Sequence, residues 1–355
     1  MPAKQPRRRY TIGVLPTWQV YTGTLNTLLH PILRGITIAA QQQGCNLLIA
    51  CGVAPPHVPD LRPAWPLLAA EVDFAPVGDW NTDGLIVIAG PPPEDVKARH
   101  IQQMIAAGHP VVFAETADRA SSVGLDNAGG IRQALEHLKQ HGRTPIAFIA
   151  GLTGGIGDSL ERLNAFYDES EALGLQVERR LMADGQFTTP GGFQAMQQIL
   201  ATGLPFSAVL ACNDESAIGA IQALQAAGKR VPQDAAVIGF DNRFEARTHN
   251  LTTVYQPAFE IGQQALRLIL RRLAGEAGAA TVIRTPARLV IRQSCGCRQE
   301  ERDLTPQPPS LKGKGEKTDM PTGAEGMGGE EEGSVHSEDE CGGVCGDGAE
   351  QPGGD

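Results

Sequence analysis

Polar side chains that directly follow apolar runs are the first candidates for chemistry. Glu115 follows PVVFA, Asn213 and Asp214 follow AVLAC, and Asp241 and Asn242 follow AVIGF. A carboxylate or carboxamide held at the end of a buried strand can hydrogen-bond a polar ligand. In open α/β sheets, ligands bind outside the carboxyl ends of the strands. Gly154, Gly155 and Gly157 form a Gly-rich turn after PIAFIA that matches neither G-x-x-x-x-G-K-[ST] nor G-x-G-x-x-G. It reads as a loop with room for a close ligand. The string KGKGEKT near the C-terminus has no strand before it. There is no G-x-S-x-G elbow and no H-E-x-x-H. The eight His are read as scattered, with no pair at helical ligand spacing. Cys295-Gly-Cys297 and Cys341…Cys345 match no zinc spacing with two partner ligands. No metal and no cofactor are therefore expected. No nucleophile–base pair is evident either, so the expectation is a protein that is not an enzyme.

The elements that must position these residues are legible as alternation. Strand candidates are residues 10–15, 46–51, 84–89, 110–114, 145–150, 208–212 and 236–240. They are apolar on consecutive positions, as in parallel strands buried on both faces. Between them lie stretches with helical period, such as Ile131, Leu135 and Leu138, or Ile218, Ile221 and Leu224. Gly44, Gly108, Gly142, Gly174 and Gly228 fall where helices should end. Strand–helix alternation implies right-handed βαβ units and doubly wound sheets.

The chain has 355 residues, which suggests two domains, at roughly 100–200 residues each. The formal charge of −10 lies wholly in residues 298–355, which hold 15 Asp/Glu, 5 Lys/Arg, 13 Gly and no aromatic residue. Such a segment buries too little to offset chain entropy, so a disordered acidic tail is expected. The electroneutral body argues against nucleic-acid binding driven by net charge. The cluster Lys4, Arg7, Arg8 and Arg9 reads as a solvated arm. No apolar run approaches a membrane span of roughly 18–20 residues, and no secretory apolar segment follows the basic start. The seven Cys do not form a secreted disulfide framework. The expectation is a cytoplasmic protein without membrane contact.

Three segments resemble the effector domain of the lactose-repressor/galactose-repressor (LacI/GalR) family: VGLDNAGGIRQALEHLKQHGRTPIAFIAG (123–151), AVLACNDESAIGAIQALQAAGKRVPQDAAVIGFDN (208–242) and LTTVYQPAFEIGQQALRLILRRLAGE (251–276). The resemblance runs from about Tyr10 to Cys297. It implies a periplasmic-binding-protein-like type I clamp: two doubly wound α/β lobes joined by three crossover strands, with ligand between them. Residues 10–126 and 255–286 would form the N-terminal lobe, and 127–254 and 287–297 the C-terminal lobe. Repressors of this kind carry a helix-turn-helix before the first strand; here nine residues precede Tyr10, so specific DNA reading by this chain alone is not expected. The ending RLVIRQSCGC is similar to sensors fused to diguanylate cyclases or histidine kinases.

The resemblance also implies site residues. Arg162 sits where the family places an effector-binding Arg; the competing reading is an exposed helix Arg. An Arg162→Ala change is expected to abolish ligand binding and leave the fold intact. Phe187 falls at a stacking aromatic, or is a core Phe. Asn213 and Asp241 match polar ligand contacts, though Asp241 could cap its turn, and Asp214 could cap the helix beginning near Glu215. Glu115 matches an acidic contact. Trp18 and Tyr21 offer a stacking face or pack locally. Asp158, one turn before Arg162, pairs with it or faces the ligand. The implied partners are a small-molecule effector, probed best with sugars and related polar metabolites, a second copy in a homodimer, and a full-length regulator or signalling chain. The alternatives are an orphan sensor of such a signalling chain and a dimerisation-only interaction protein.

Overall fold

Several of the apolar runs read above become strands inside the molecule. Gly84–Ile88, Ile146–Ala150 and Ala208–Ala211 are buried at every position. Such strands need helices on both faces, and the structure supplies them. The computed structural model describes residues 9–16, 29–50, 77–88, 96–115, 121–151, 157–276 and 280–297. Trp18, Tyr21, most of the basic arm, Gly154, Gly155 and the acidic tail lie outside the described residues.

Two six-stranded sheets form. The first contains β1 (Thr11–Pro16), β2 (Asn46–Ile49), β3 (Gly84–Ile88), β4 (Val111–Phe113), β5 (Ser121–Leu125) and β11 (Val282–Thr285), in the order β11-β5-β4-β3-β1-β2. The second contains β6 (Ile146–Ala150), β7 (Met182–Asp184), β8 (Ala208–Ala211), β9 (Ala236–Asp241), β10 (Thr252–Tyr255) and β12 (Arg288–Val290), in the order β12-β10-β9-β8-β6-β7. All pairings are parallel except β10 with β12. Within each sheet the first five strands follow the same 2-1-3-4-5 order. That order places a topological switch point between the first and third strands, where ligands enter doubly wound sheets. In the second sheet the switch lies between β6 and β8.

The chain passes between the sheets three times: from β5 into α3 (Asn127–Gln140), from β10 into α8 (Ala258–Leu273), and from β11 to β12. The doubly wound α/β clamp expected from the resemblance is thus observed. β2 departs from the expected double burial. It is an edge strand, and only Leu47 and Leu48 are partly covered. β5 was not anticipated, because SSVGL opens on two serines; both are nonetheless fully buried. The five helix-terminal glycines all adopt the left-handed conformation.

The first sheet is backed by a close helix pair, α1 (Leu29–Gln43) against α8. Gly35 and Gly262 permit it. A Cβ on Gly262 would lie 2.1 Å from the carbonyl oxygen of Ile32, and one on Gly35 would lie 2.1 Å from that of Phe259. Backbone cannot yield as a flexible side chain can, so a methyl group forces the helices apart. Gly262→Ala should destabilise the protein by about 1–3 kcal/mol, the usual cost of overpacking. Urea melts would read this as a lower midpoint at unchanged slope. An unchanged midpoint would show that the helices do not meet at Gly262.

Candidate functional site

The centre of the candidate site is a buried charge. Arg162 projects from α4 (Asp158–Ala172) and is 3% exposed, so it is not the exposed helix Arg of the competing reading. Burying an ion is costly unless its donors are matched. Nε donates to Asn127 Oδ1 at 2.9 Å, and Nη1 donates to the Cys212 carbonyl at 2.6 Å. Nη1 also meets Asp241 Oδ1 at 3.3 Å. The guanidinium carbon lies 3.9 Å from the centre of the Phe240 ring, a cation–π contact. Nη2 has Asp158 Oδ2 at 3.8 Å, an ion pair beyond hydrogen-bond length. Cys212 directly follows β8, so the guanidinium sits at the β6/β8 switch point of the second sheet.

Asn127 organises the other side. It starts α3, just after the Asp126 N-cap, whose carboxylate accepts from the Gly129 N–H. Its Nδ2 donates to Asp158 Oδ1 and to Glu161 Oε2, both at 2.8 Å. One carboxamide thus ties Arg162 to two acids of the first turn of α4. Glu161 in turn pairs with Arg284 of β11 at 3.2 Å, an ion pair between elements of the two sheets. Asn127, Phe240 and the Cys212 carbonyl were missed by sequence reasoning. Asn127 had one signal, its place directly after a buried strand in the VGLDN segment. The other two are visible only through the fold.

Asp241 ends β9 in an uncommon backbone conformation, φ +107°, followed by Asn242 at φ +56°. Non-glycine residues there cost on the order of 1–3 kcal/mol and persist only where surroundings hold them. Arg292, itself buried, donates to Asn242 Oδ1 at 2.6 Å, and the Asn242 N–H meets the Thr253 hydroxyl at 3.3 Å. Beneath the turn, buried Asp214 accepts from the Arg243 N–H at 2.7 Å and from the Thr253 hydroxyl. Burial raises the Asp241 carboxyl to about 6, against the opposing pull of Arg162 and Arg243. Burial also raises Asp214, and the nearby Asp241 charge adds to that.

The second unusual turn carries Phe187, at φ +56° after Gln186 at φ +52°. Its ring covers Gly151 at the end of β6, where a Cβ would meet it at 2.2 Å. Asn213 fixes this turn: Nδ2 donates to the Phe187 carbonyl at 2.9 Å, while Oδ1 accepts from the Ser216 N–H at 3.0 Å. Asn213 is therefore the N-cap of α6 (Asp214–Ala226), and Asp214, one candidate for that cap, serves the β9 turn instead. The cap falls to Asn213 because it alone has the extended backbone of a flanking residue, while Asp214 already lies inside the helix. The structure thus brings Arg162, Asp241 and Asp158 into one set of contacts, with Asn213 and Phe187 joined at the neighbouring strand ends. Glu115 lies half-buried after β4 of the first sheet.

The expectation that Arg162→Ala leaves the fold intact does not fit this geometry. The substitution strips donors from Asn127 and from the Cys212 carbonyl and removes the counter-charge of Asp241. It should lower stability by on the order of 3 kcal/mol. Arg162→Lys keeps the charge but loses the planar fork and should recover only part of that. Equilibrium urea unfolding measures both; an Ala variant within about 0.5 kcal/mol of the parent, the range of ordinary surface changes, would contradict the network.

Similarity to known proteins follows the same residues. The profile of a periplasmic binding protein-like domain matches residues 135–295. The HTH-type transcriptional regulator CelR of Thermobifida fusca is 32% identical over 192 residues, covering 54% of this chain and 56% of that protein. The solved CelR–cellobiose complex matches with a TM-score of 0.66 at 26% identity, over 82% of this chain and 86% of that one. The chain carries a periplasmic binding protein-like domain, similar to the effector domains of LacI/GalR-type regulators. A lac repressor dimer bound to operator and an anti-inducer shares this fold, with a TM-score of 0.63 at 21% identity over 81% of this chain and 94% of that one. The chain spans little more than half the length of the Thermobifida relative. Among the described residues, no helix is long and apolar enough to cross a membrane.

Proposed function

We propose that the chain senses a small polar effector, a sugar or related polyhydroxylated metabolite, in the regulation of transcription or a comparable cytoplasmic signalling output. The effector would sit between a lobe of residues 10–126 and 255–286 and a lobe of residues 127–254 and 287–297, and would bias their closure. No reaction is implied. The observation that carries this reading is the unfinished pairing at the β6/β8 switch point. Among the described residues, Arg162 Nη2 and Asp241 Oδ2 make no hydrogen bond, although every other polar atom of the guanidinium is engaged. A fixed donor beside a fixed acceptor suits vicinal hydroxyls, each of which both donates and accepts. The CelR complex holds cellobiose, which makes that disaccharide the first probe. The homodimer expected from the resemblance belongs to the same proposal.

The test is a thermal-shift screen with cellobiose, monosaccharides and sugar acids, followed by titration calorimetry. A binding compound at 100 times its Kd should stabilise the protein by about 2.7 kcal/mol. Asp241→Asn should weaken that compound by about 1.5–3 kcal/mol, the worth of a charged hydrogen bond. Because the Asp241 carboxyl is raised to about 6, acidification through that pH protonates it and removes an acceptor. Affinity should therefore be full above that pH and fall below it, and the Asp241→Asn variant should lose this dependence. Binding that is insensitive to both changes would place the effector elsewhere.

A further inference from the structure

The far end of α3 carries a cluster that the effector site does not use. His137 and His141 stand four residues apart, so their side chains share one face of the helix. This corrects the reading of the histidines as scattered. His137 is 8% exposed, and its Nε2 lies 3.6 Å from Cys297 Sγ; His141 Nε2 lies 3.3 Å from the same sulfur. Cys297 reaches this position because Gly296 turns through φ +94° after the short 3-10 turn Gln293–Cys295. The Cys295 thiol is buried and donates instead to the Arg292 carbonyl at 3.4 Å.

We propose that His137, His141 and Cys297 form a three-ligand site for a divalent zinc-class metal ion, with the fourth tetrahedral position open to water. The donor set is chemically apt, because mixed thiolate and imidazole ligands select zinc over hard cations. The distances agree. A tetrahedral ion with Zn–S of about 2.3 Å and Zn–N of about 2.0–2.1 Å holds sulfur and nitrogen roughly 3.6 Å apart. Both observed separations are close to that value before any ion is placed. A neutral thiol has one proton and can donate to only one of two imidazoles, whereas one ion satisfies both rings and the sulfur together. The site also lies at a helix C-terminus, where exposed carbonyls favour positive charge. Helix α3 ends at Gln140, with His141 as its cap.

Such an ion would pin the 293–297 turn to α3, the same helix whose first residue, Asn127, holds Arg162. Fourteen residues separate the two ends by about 20 Å, at a rise of about 1.5 Å per residue.

Cobalt(II) titration of the metal-stripped full chain tests the proposal. The expected result is saturation at one equivalent, with a thiolate-to-cobalt charge-transfer band and the strong visible absorption of tetrahedral cobalt. Cys297→Ser should abolish the charge-transfer band. His141 is exposed, so His141→Ala should keep a native circular dichroism spectrum. It should weaken cobalt binding by more than the roughly 10–100-fold that loss of a supporting contact costs. Cys341→Ser/Cys345→Ser should leave the signal unchanged. Absence of a charge-transfer band at one equivalent would overturn the proposal. So would a band that survives Cys297→Ser, or one that vanishes when only Cys341 and Cys345 are replaced.

Discussion

A guanidinium taken out of water must find its counter-charges and acceptors inside the protein, and much of this structure is arranged around that requirement. Arg162 is buried on α4, and the groups that compensate it come from three places far apart in sequence. Asn127 belongs to the crossing after β5, Cys212 to the end of β8, and Asp241 to the end of β9. No local segment can supply this set. It forms only when the parallel strands align their carboxyl ends, so the charge is matched only in the folded second sheet. Among the described residues the compensation is also incomplete, with Asp241 Oδ2 and Arg162 Nη2 each holding capacity for a further hydrogen bond. A well-paired interior would leave none. An incompletely paired ion at a strand end suits the polar effector proposed above.

The same set touches the connections between the sheets. Asn127 begins the helix entered by the first crossing, and Glu161 reaches Arg284 on β11, the strand that leads into the third. A ligand drawing on Arg162 or Asp158 therefore acts on groups one hydrogen bond from the crossover segments. Under the proposed function, this would give a physical route from occupancy to the arrangement of the two sheets that needs no long chain of contacts. The strained backbone at Gln186–Phe187 and Asp241–Asn242 fits the same picture. Both turns lie at carboxyl strand ends, and both are held by buried side chains, Asn213 for one and Arg292 for the other.

The architecture was legible in the sequence because fully buried parallel strands are written as unbroken apolar runs. IAFIA, AVLA and AVIGF each announce themselves in this way. SSVGL and TTVY do not, since their serines and threonines are buried through hydrogen bonds or close packing that only the fold reveals. Arg162 and Asp241 were legible through resemblance and through position after a strand or at a helix start. Their partners were not, because pairings such as Arg162 with Asn127 span 35 residues. Asp214 shows the limit clearly. An acid at a helix start reads as a cap, yet its neighbour Asn213 caps, and Asp214 braces a turn 29 residues away.

The central claim is that an effector engages the buried Arg162 set at the carboxyl ends of β6, β8 and β9. Hydrogen–deuterium exchange with and without a saturating effector from the screen measures it most directly. The account requires new protection in four segments, 126–130, 158–163, 212–216 and 240–243, with residues 194–205 of α5 (Thr189–Ala201) and its following turn unchanged. Protection confined to other segments, with these four exchanging as in the free protein, would contradict it.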